Sequence, residues 1–132
     1  MKKRSGFSLL ELIIVVLISA ILLLIAVPSY QSYIRKSRRI DGIQAIQAIR
    51  LIEEKYRASN PQYGTLEQIA GAEQSTGGYY NLSVTDISAF GYTIKAAAEG
   101  DQINDQEDGT ACNELSFFVN NTVETKTPLE CW

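Results

Sequence analysis

The chain begins with a continuous apolar run, continues with a periodic pattern and ends in short alternating segments. From Phe7 to Val27 the run counts 21 residues, with Ser8, Glu11 and Ser19 as its polar positions. A helix of that length rises about 1.5 Å per residue and spans roughly the 30 Å hydrocarbon core of a bilayer. The run therefore predicts a membrane-spanning helix with a carboxylate near its start.

Beyond Pro28 the apolar residues recur every three or four positions, which is typical of an amphipathic helix. The stripe comprises Ile40, Ile43, Ile46, Ile49, Ile52 and Tyr56. The charged residues fall mainly off this stripe and are expected to form a solvated face: Arg35, Lys36, Arg38, Arg39, Arg50, Glu53, Glu54 and Arg57.

The two patterns predict one long helix that ends near residues 58–60, because Pro61 disfavours helical geometry in the residue before it. Pro28 is predicted to kink this helix, since it lacks a backbone donor and crowds the preceding turn; a simple break at the membrane interface is the alternative. Gly42 is a second position where the helix could bend.

Three later segments alternate apolar and polar residues and each predicts a half-buried strand. They are Tyr80, Leu82, Val84; Tyr92, Ile94, Ala96; and Leu115, Phe117, Val119. Turn residues fill 100–109 and 120–122, and a short helix is predicted over 66–72 after Thr65 as cap. The simplest architecture is an α+β fold with a small antiparallel sheet packed on the isoleucine stripe.

The part of the chain beyond the long helix is small for a stable core, so a covalent link would help it. Cys112 and Cys131 are the two cysteines of the chain, and His is absent from it. A disulfide there would contribute about 3 kcal/mol in the chain-entropy model. Two free thiols are an alternative, whereas a structural zinc site would have too few ligands.

Acidic residues dominate the C-terminal part of the chain. The 132 residues carry a formal charge of −3, and from Asn60 onward the basic residues are Lys95 and Lys126 against 11 acidic ones. Such a surface repels phosphate backbones, so nucleic acid is disfavoured as a partner.

Two charged clusters carry alternative interpretations. The acidic segment Asp101, Asp105, Glu107 and Asp108 offers oxygen ligands to calcium, but it lacks EF-hand spacing, and a solvated loop is the favoured interpretation; no metal or other cofactor is expected. The basic cluster Arg35, Lys36, Arg38 and Arg39 could pair with neighbouring acidic domains or anionic headgroups, or could form a solvated helix face.

Catalysis finds no support in the sequence. There is no His, no nucleophile beside an evident base and no phosphate-binding glycine loop. A non-enzymatic protein is expected.

Glu11 in the apolar run calls for a cationic partner, because an ionisable side chain inside a membrane span is costly. The preceding residues Met1-Lys2-Lys3-Arg4-Ser5-Gly6 are basic, but no apolar segment separates them from a cleavage site. The pattern Gly6-Phe7-Ser8-Leu9-Leu10-Glu11 resembles the class III leader of type IV pilins. A plain membrane anchor is the alternative interpretation.

This resemblance implies cleavage after Gly6 by a prepilin peptidase and N-methylation of Phe7. It further implies that Glu11 pairs with the new N-terminal ammonium of a neighbouring subunit during filament assembly. An α-amine is mostly protonated at neutral pH, so this pairing would supply the missing cation.

The type IV pilin fold implied by the resemblance divides the chain into a leader at 1–6, an assembly and transmembrane helix at 7–28, an amphipathic helix at 29–59 and a sheet region with a disulfide-bounded tail at 60–132. The tail sequence Lys126-Thr127-Pro128-Leu129-Glu130-Cys131-Trp132 is similar to that of type IVa minor pilins. Trp132 is expected to cover the sheet edge; presenting a contact to a partner is the alternative.

The expected function is thus that of a structural subunit of a type IV pilus, with a minor pilin favoured, for adhesion, twitching motility or DNA uptake. The implied partners are other pilin subunits, the peptidase, an inner-membrane assembly platform and the membrane. The precursor would lie in a bacterial inner membrane with its N-terminus cytoplasmic and its C-terminal domain periplasmic, and the mature chain in an extracellular fimbrium. Alternatives are a major pilin, a type II secretion pseudopilin and a tip adhesin or DNA-binding pilin.

Overall fold

The computed structural model describes residues 6–132. Helix α1 spans Leu9–Arg57 and contains Pro28; the predicted kink there stays a prediction. Six strands follow: β1 (Tyr80–Thr85), β2 (Gly91–Ala98), β3 (Gln106–Glu107), β4 (Thr110–Ala111), β5 (Glu114–Asn120) and β6 (Val123–Thr127). The chain divides into two compact units, one ending at Tyr33 and the other beginning at Ile34.

The first unit is the apolar part of α1. Its hydrophobic side chains are exposed, and it is long and apolar enough to cross a membrane. The hydroxyl of Ser19 donates to the carbonyl of Val15 at 2.8 Å, and Ser29 donates to Ile25 at 3.2 Å. These two polar groups are therefore satisfied within the helix itself.

The second unit is a sheet packed on the remainder of α1. The strand order is β1-β2-β5-β6, and every neighbouring pair is antiparallel. Ile46 and Ile49 from the helix are buried among residues of the sheet and tail. The other fully or nearly buried apolar residues are Tyr63, Ile69, Tyr80, Leu82, Tyr92, Ile94, Ala96, Cys112, Leu115, Phe117, Val119 and Cys131. The α+β fold and the helix-on-sheet packing are confirmed.

The isoleucine stripe is only partly correct. Ile46 and Ile49 are at most 2 % exposed, whereas Ile40 is 54 % exposed. Gly42 lies on the sheet-facing side and is buried. A Cβ atom there would come within 2.8 Å of the Tyr80 ring, so the missing side chain of Gly42 makes room for this aromatic residue. A bend of the helix at Gly42 stays a prediction.

The three predicted strands correspond to β1, β2 and β5, but the predicted helix over 66–72 is wrong. Thr65 and Gln68 do exchange two capping hydrogen bonds, at 2.9 and 3.2 Å. The chain then leaves helical geometry at Ala70, whose φ is +51°, and the segment forms turns only. β6 and the β3–β4 hairpin were not predicted, since their nine residues show no apolar alternation.

The C-terminal tail is attached to the sheet by the predicted disulfide, which is confirmed. Cys112 and Cys131 are bonded, with their Cα atoms 5.7 Å apart. Cys131 ends a short 3-10 helix at Leu129–Cys131. The Trp132 ring then lies 6.0 Å from that of Phe117, so Trp132 packs against the core.

Candidate functional site

The sequence-predicted processing and assembly residues lie at the start of the described chain. Gly6 and Phe7 precede α1 and are exposed, while the basic residues before them lie outside the described residues. The amide of Leu12 donates to the carbonyl of Ser8 at 3.2 Å, which places Ser8 at the helix N-cap. Glu11 follows in the first turn, where the helix dipole favours a carboxylate.

Glu11 has no ion-pair partner among residues 6–132. It is followed by apolar side chains that are largely exposed, such as Leu12 at 58 % and Ile13 at 56 %. The charge of a carboxylate in this setting is neutralised only if a cation comes from outside the described part of the chain.

A buried ionic network joins α1 to the acidic segment of the second unit. Arg39 is 4 % exposed and donates two parallel hydrogen bonds to Asp105, at 2.6 and 2.9 Å. A third bond of 2.9 Å runs from Arg39 to Glu107. The hydrogen bond and charge of Asp105, together with Glu107, raise the pKa of Arg39. The network therefore holds a permanent cation inside the domain.

Two outer ion pairs extend this network. The guanidinium of Arg35 makes two hydrogen bonds to Asp101, at 2.9 and 3.0 Å, and the ammonium of Lys36 lies 2.6 Å from Glu107. The pKa of Glu107 is lowered, first by Lys36 and then by Arg39.

These contacts correct both interpretations of the charged clusters. The basic cluster was expected to face neighbouring subunits, lipid headgroups or water, yet Arg35, Lys36 and Arg39 bind carboxylates of their own chain. The fourth member, Arg38, lies over the ring of Tyr79 at 4.7 Å. The acidic segment is correspondingly no plain solvated loop, because three of its four carboxylates, those of Asp101, Asp105 and Glu107, bind side chains of α1.

Gln102 completes the network from within the acidic segment. Its side chain is buried and its amide donates to the carbonyl of Arg35 and the hydroxyl of Tyr80, both at 2.9 Å. Burial raises the pKa of Tyr80 to about 12, so its phenol stays protonated. Gln102 thus links the acidic segment to α1 and to β1.

Glu53 is the second residue that the sequence wrongly placed on a solvated face. It is 0 % exposed, and one carboxylate oxygen accepts the amide of Gly64 at 3.0 Å. The other oxygen has no partner among the described residues. The contact holds the loop after α1 against the last turn of the helix.

We expect Glu53→Gln to flatten the pH dependence of the free energy of unfolding. Burial raises the pKa of Glu53, so the folded chain binds its proton more tightly than the unfolded chain. The contribution of Glu53 to stability is then greatest below an ordinary glutamate pKa and falls as the pH increases through the pKa of Glu53 in the folded chain. Glutamine keeps an acceptor for Gly64 but cannot ionise.

Urea unfolding of the full chain in detergent, followed by the fluorescence of Trp132 between pH 4.5 and 8, measures this effect. An unchanged pH profile in the Glu53→Gln chain would show that Glu53 does not titrate in this range.

Comparisons with known proteins fall on two adjoining segments. Residues 1–27 match the model of the prokaryotic N-terminal methylation motif. Residues 28–116 match the family model described as type IV minor pilin ComP, DNA uptake sequence receptor. This second match covers about two thirds of the chain and ends before β6 and the second cysteine.

A curated relative matches over a shorter stretch. It is the prepilin peptidase-dependent protein D of Escherichia coli strain K12, 49 % identical over 41 residues. The alignment covers 31 % of this chain and 28 % of the relative. Together with the apolar helix, the methylation motif fits a membrane-anchored precursor.

Proposed function

The chain belongs to the type IV minor pilin family described as ComP, and on that basis we propose that it is cut after Gly6, methylated at Phe7 and built into a pilus through its N-terminal helix. Other pilins are then its partners in the filament. The single observation that carries the proposal is Glu11, a carboxylate without a partner among residues 6–132, four residues beyond the proposed new amine.

The physical argument for this assembly rests on two properties of the first unit. Its apolar side chains are exposed, so they need lipid before assembly and other helices afterwards. An ammonium at Phe7 of one subunit next to Glu11 of another would neutralise both charges in an apolar surrounding. Packing of the apolar helices supplies the attraction between subunits, and the charge pair favours one axial position of a subunit relative to its neighbour.

The proposed division of the chain follows from this use. Residues 1–6 form the leader, 7–28 the membrane and assembly helix, 29–59 the helix that carries the sheet, and 60–132 the loop, sheet and tail. The precursor would be held in the inner membrane with residues 60–132 on the periplasmic side, where the Cys112–Cys131 bond is favoured. A prepilin peptidase and an assembly platform would act on it there.

Mass spectrometry of the mature N-terminus tests the processing step. We expect a chain that begins at Phe7 and carries one methyl group on its amine, heavier by about 14 Da than the unmethylated form. Replacing Gly6 with a bulky residue should leave the uncut precursor in the membrane. A mature protein that still begins at Met1 would contradict the proposal and favour a plain membrane anchor.

DNA binding is a second candidate function, and the family match is the observation that favours it. The charge of residues 60–132 argued against a nucleic-acid partner, and the structure reduces the available cations further. Within the described residues, Arg35, Lys36, Arg39, Arg50 and Lys95 each contact a carboxylate of the same chain. Arg38, Lys55, Arg57 and Lys126 remain for phosphate contacts.

Four such contacts would give a logarithmic salt dependence no steeper than about −4. Titration in detergent of the chain that begins at Phe7, which lacks the basic residues of the leader, with fragmented genomic duplex DNA at 50 and 200 mM salt measures this slope. A shallow slope with sequence preference would support a receptor that reads DNA with few phosphate contacts. Absence of binding at the lower salt would contradict DNA binding, and the filament role would then be the proposed function that remains.

A further inference from the structure

The two edges of the four-stranded sheet are finished differently. Along β1 the edge is covered, because Leu82 donates to the carbonyl of Glu73 at 2.8 Å and Ser75 donates to that of Tyr80 at 2.9 Å. At the other edge all five residues of β6 are exposed. No strand within residues 6–132 pairs with the far side of β6. An uncovered edge strand presents unpaired N–H and C=O groups, which can pair with a strand from another chain. The edge at β6 is of this kind.

The charged side chains of β6 do not shield its open backbone. Glu124 and Lys126 both lie opposite buried core residues of β5, hence on the face of the sheet that carries α1. On that face Glu124 forms an ion pair with Arg50, and the ammonium of Lys126 lies 5.0 Å from the centre of the Trp132 ring. Both side chains therefore lie on a face of the sheet and not along its open backbone edge.

The hairpin register shows which backbone groups point to the open side. Asn120 and Val123 flank a two-residue turn, and such a closing pair is hydrogen-bonded. Antiparallel pairing alternates from there, so the backbone groups of Thr125 are directed at β5. Those of Glu124 and Lys126 point outward.

We propose that β6 pairs with β6 of a second copy of this chain, antiparallel and centred on Thr125. In this register Glu124 of each copy lies opposite Lys126 of the other. The outward backbone groups belong to the same two residues, so each opposed pair exchanges two N–H···O bonds. Opposite charges directly across an antiparallel pair are stabilising. The strand is therefore complementary to itself in both hydrogen bonding and charge.

The resulting contact joins two sheets of four strands across a two-fold axis, as an isologous interface requires. On the face away from α1, Thr125 is the cross-strand neighbour of Phe118, which is 38 % exposed. Two such pairs would meet at the axis and add apolar contact. The proposal does not depend on the filament role, because the pairing needs neither cleavage after Gly6 nor polymerisation.

Cysteine crosslinking of the full chain in detergent tests the register. Thr125→Cys should form a disulfide-linked dimer under mild oxidation, since directly opposite Cβ atoms in a strand pair lie about 4.5–5.5 Å apart. Val123→Cys is the matched control, because the two copies of residue 123 would be separated by about 14 Å along the strands. Its dimer yield should be at least about tenfold lower, since thiols that far apart cannot be bridged. Equal yields would indicate random collision and overturn the proposal.

Charge reversal tests the same contact without relying on one cysteine position. In the Thr125→Cys background, Glu124→Lys opposes lysines at both pairs and Lys126→Glu opposes glutamates, so each variant alone should lose most of its dimer. A mixture of the two should regain it, because lysine then faces glutamate at both pairs. A mixture that crosslinks no better than either variant alone would overturn the proposal.

Discussion

Replacing Arg39 with methionine is expected to lower the free energy of unfolding of residues 34–132 by about 3–5 kcal/mol, because removing one partner of a buried ion pair leaves the other charge uncompensated. Asp105 would be that charge, since it is only 1 % exposed and receives two hydrogen bonds from Arg39. Urea unfolding followed by Trp132 fluorescence measures the loss.

Two further variants separate this explanation from a general effect of altering α1. Arg35→Met removes an ion pair to a carboxylate that is 54 % exposed, and it should change stability little. Combining Arg39→Met with Asp105→Leu should recover much of the loss, because an apolar pair replaces the buried charges. A single Arg39→Met variant as stable as the parent chain would contradict the network's role.

Replacing Glu11 with valine is expected to reduce the amount of this protein in sheared pili by at least about tenfold, since a lost pairing of two charges in an apolar setting is worth more than 1.4 kcal/mol. Membrane insertion and cleavage after Gly6 should persist, because the change makes the span more apolar. Immunoblots of the sheared and membrane fractions measure the distribution.

Ser19→Ala is the matched control for that experiment. Ser19 is also a polar residue within the apolar run, but its hydroxyl is bonded to the carbonyl of Val15 in the same helix. Its removal should leave incorporation unchanged. Normal incorporation of the Glu11→Val chain would remove Glu11 from the assembly mechanism while leaving the processing step untouched.

The sequence predicted those parts of the fold that repeat a local pattern. The apolar run and the isoleucine spacing identified α1, and alternation identified β1, β2 and β5, because burial of one face imposes a period on the residues. β6 escaped prediction since its five residues bury no face. Thr65 and Gln68 exchange capping hydrogen bonds, yet the backbone turns at Ala70, which composition does not reveal.

The ionic network could not be predicted from local sequence patterns, for a different reason. Arg35 and Arg39 are one helical turn apart and Asp101 and Asp105 are four residues apart, so matching spacing was present in the sequence. Their pairing, however, joins positions 66 residues apart, and only the packed sheet brings them together. Charge complementarity between a helix and a distant loop was the available signal.

Gly42 shows how one contact constrains substitution in the whole molecule. Replacing a glycine within a helix by alanine usually stabilises it by up to about 1 kcal/mol. Here the added methyl would meet the Tyr80 ring, whose hydroxyl accepts a hydrogen bond from Gln102. In related chains we therefore expect positions 42 and 80 to vary together, with a larger residue at 42 found where 80 is small, and consensus design that treats each site separately to fail at this pair.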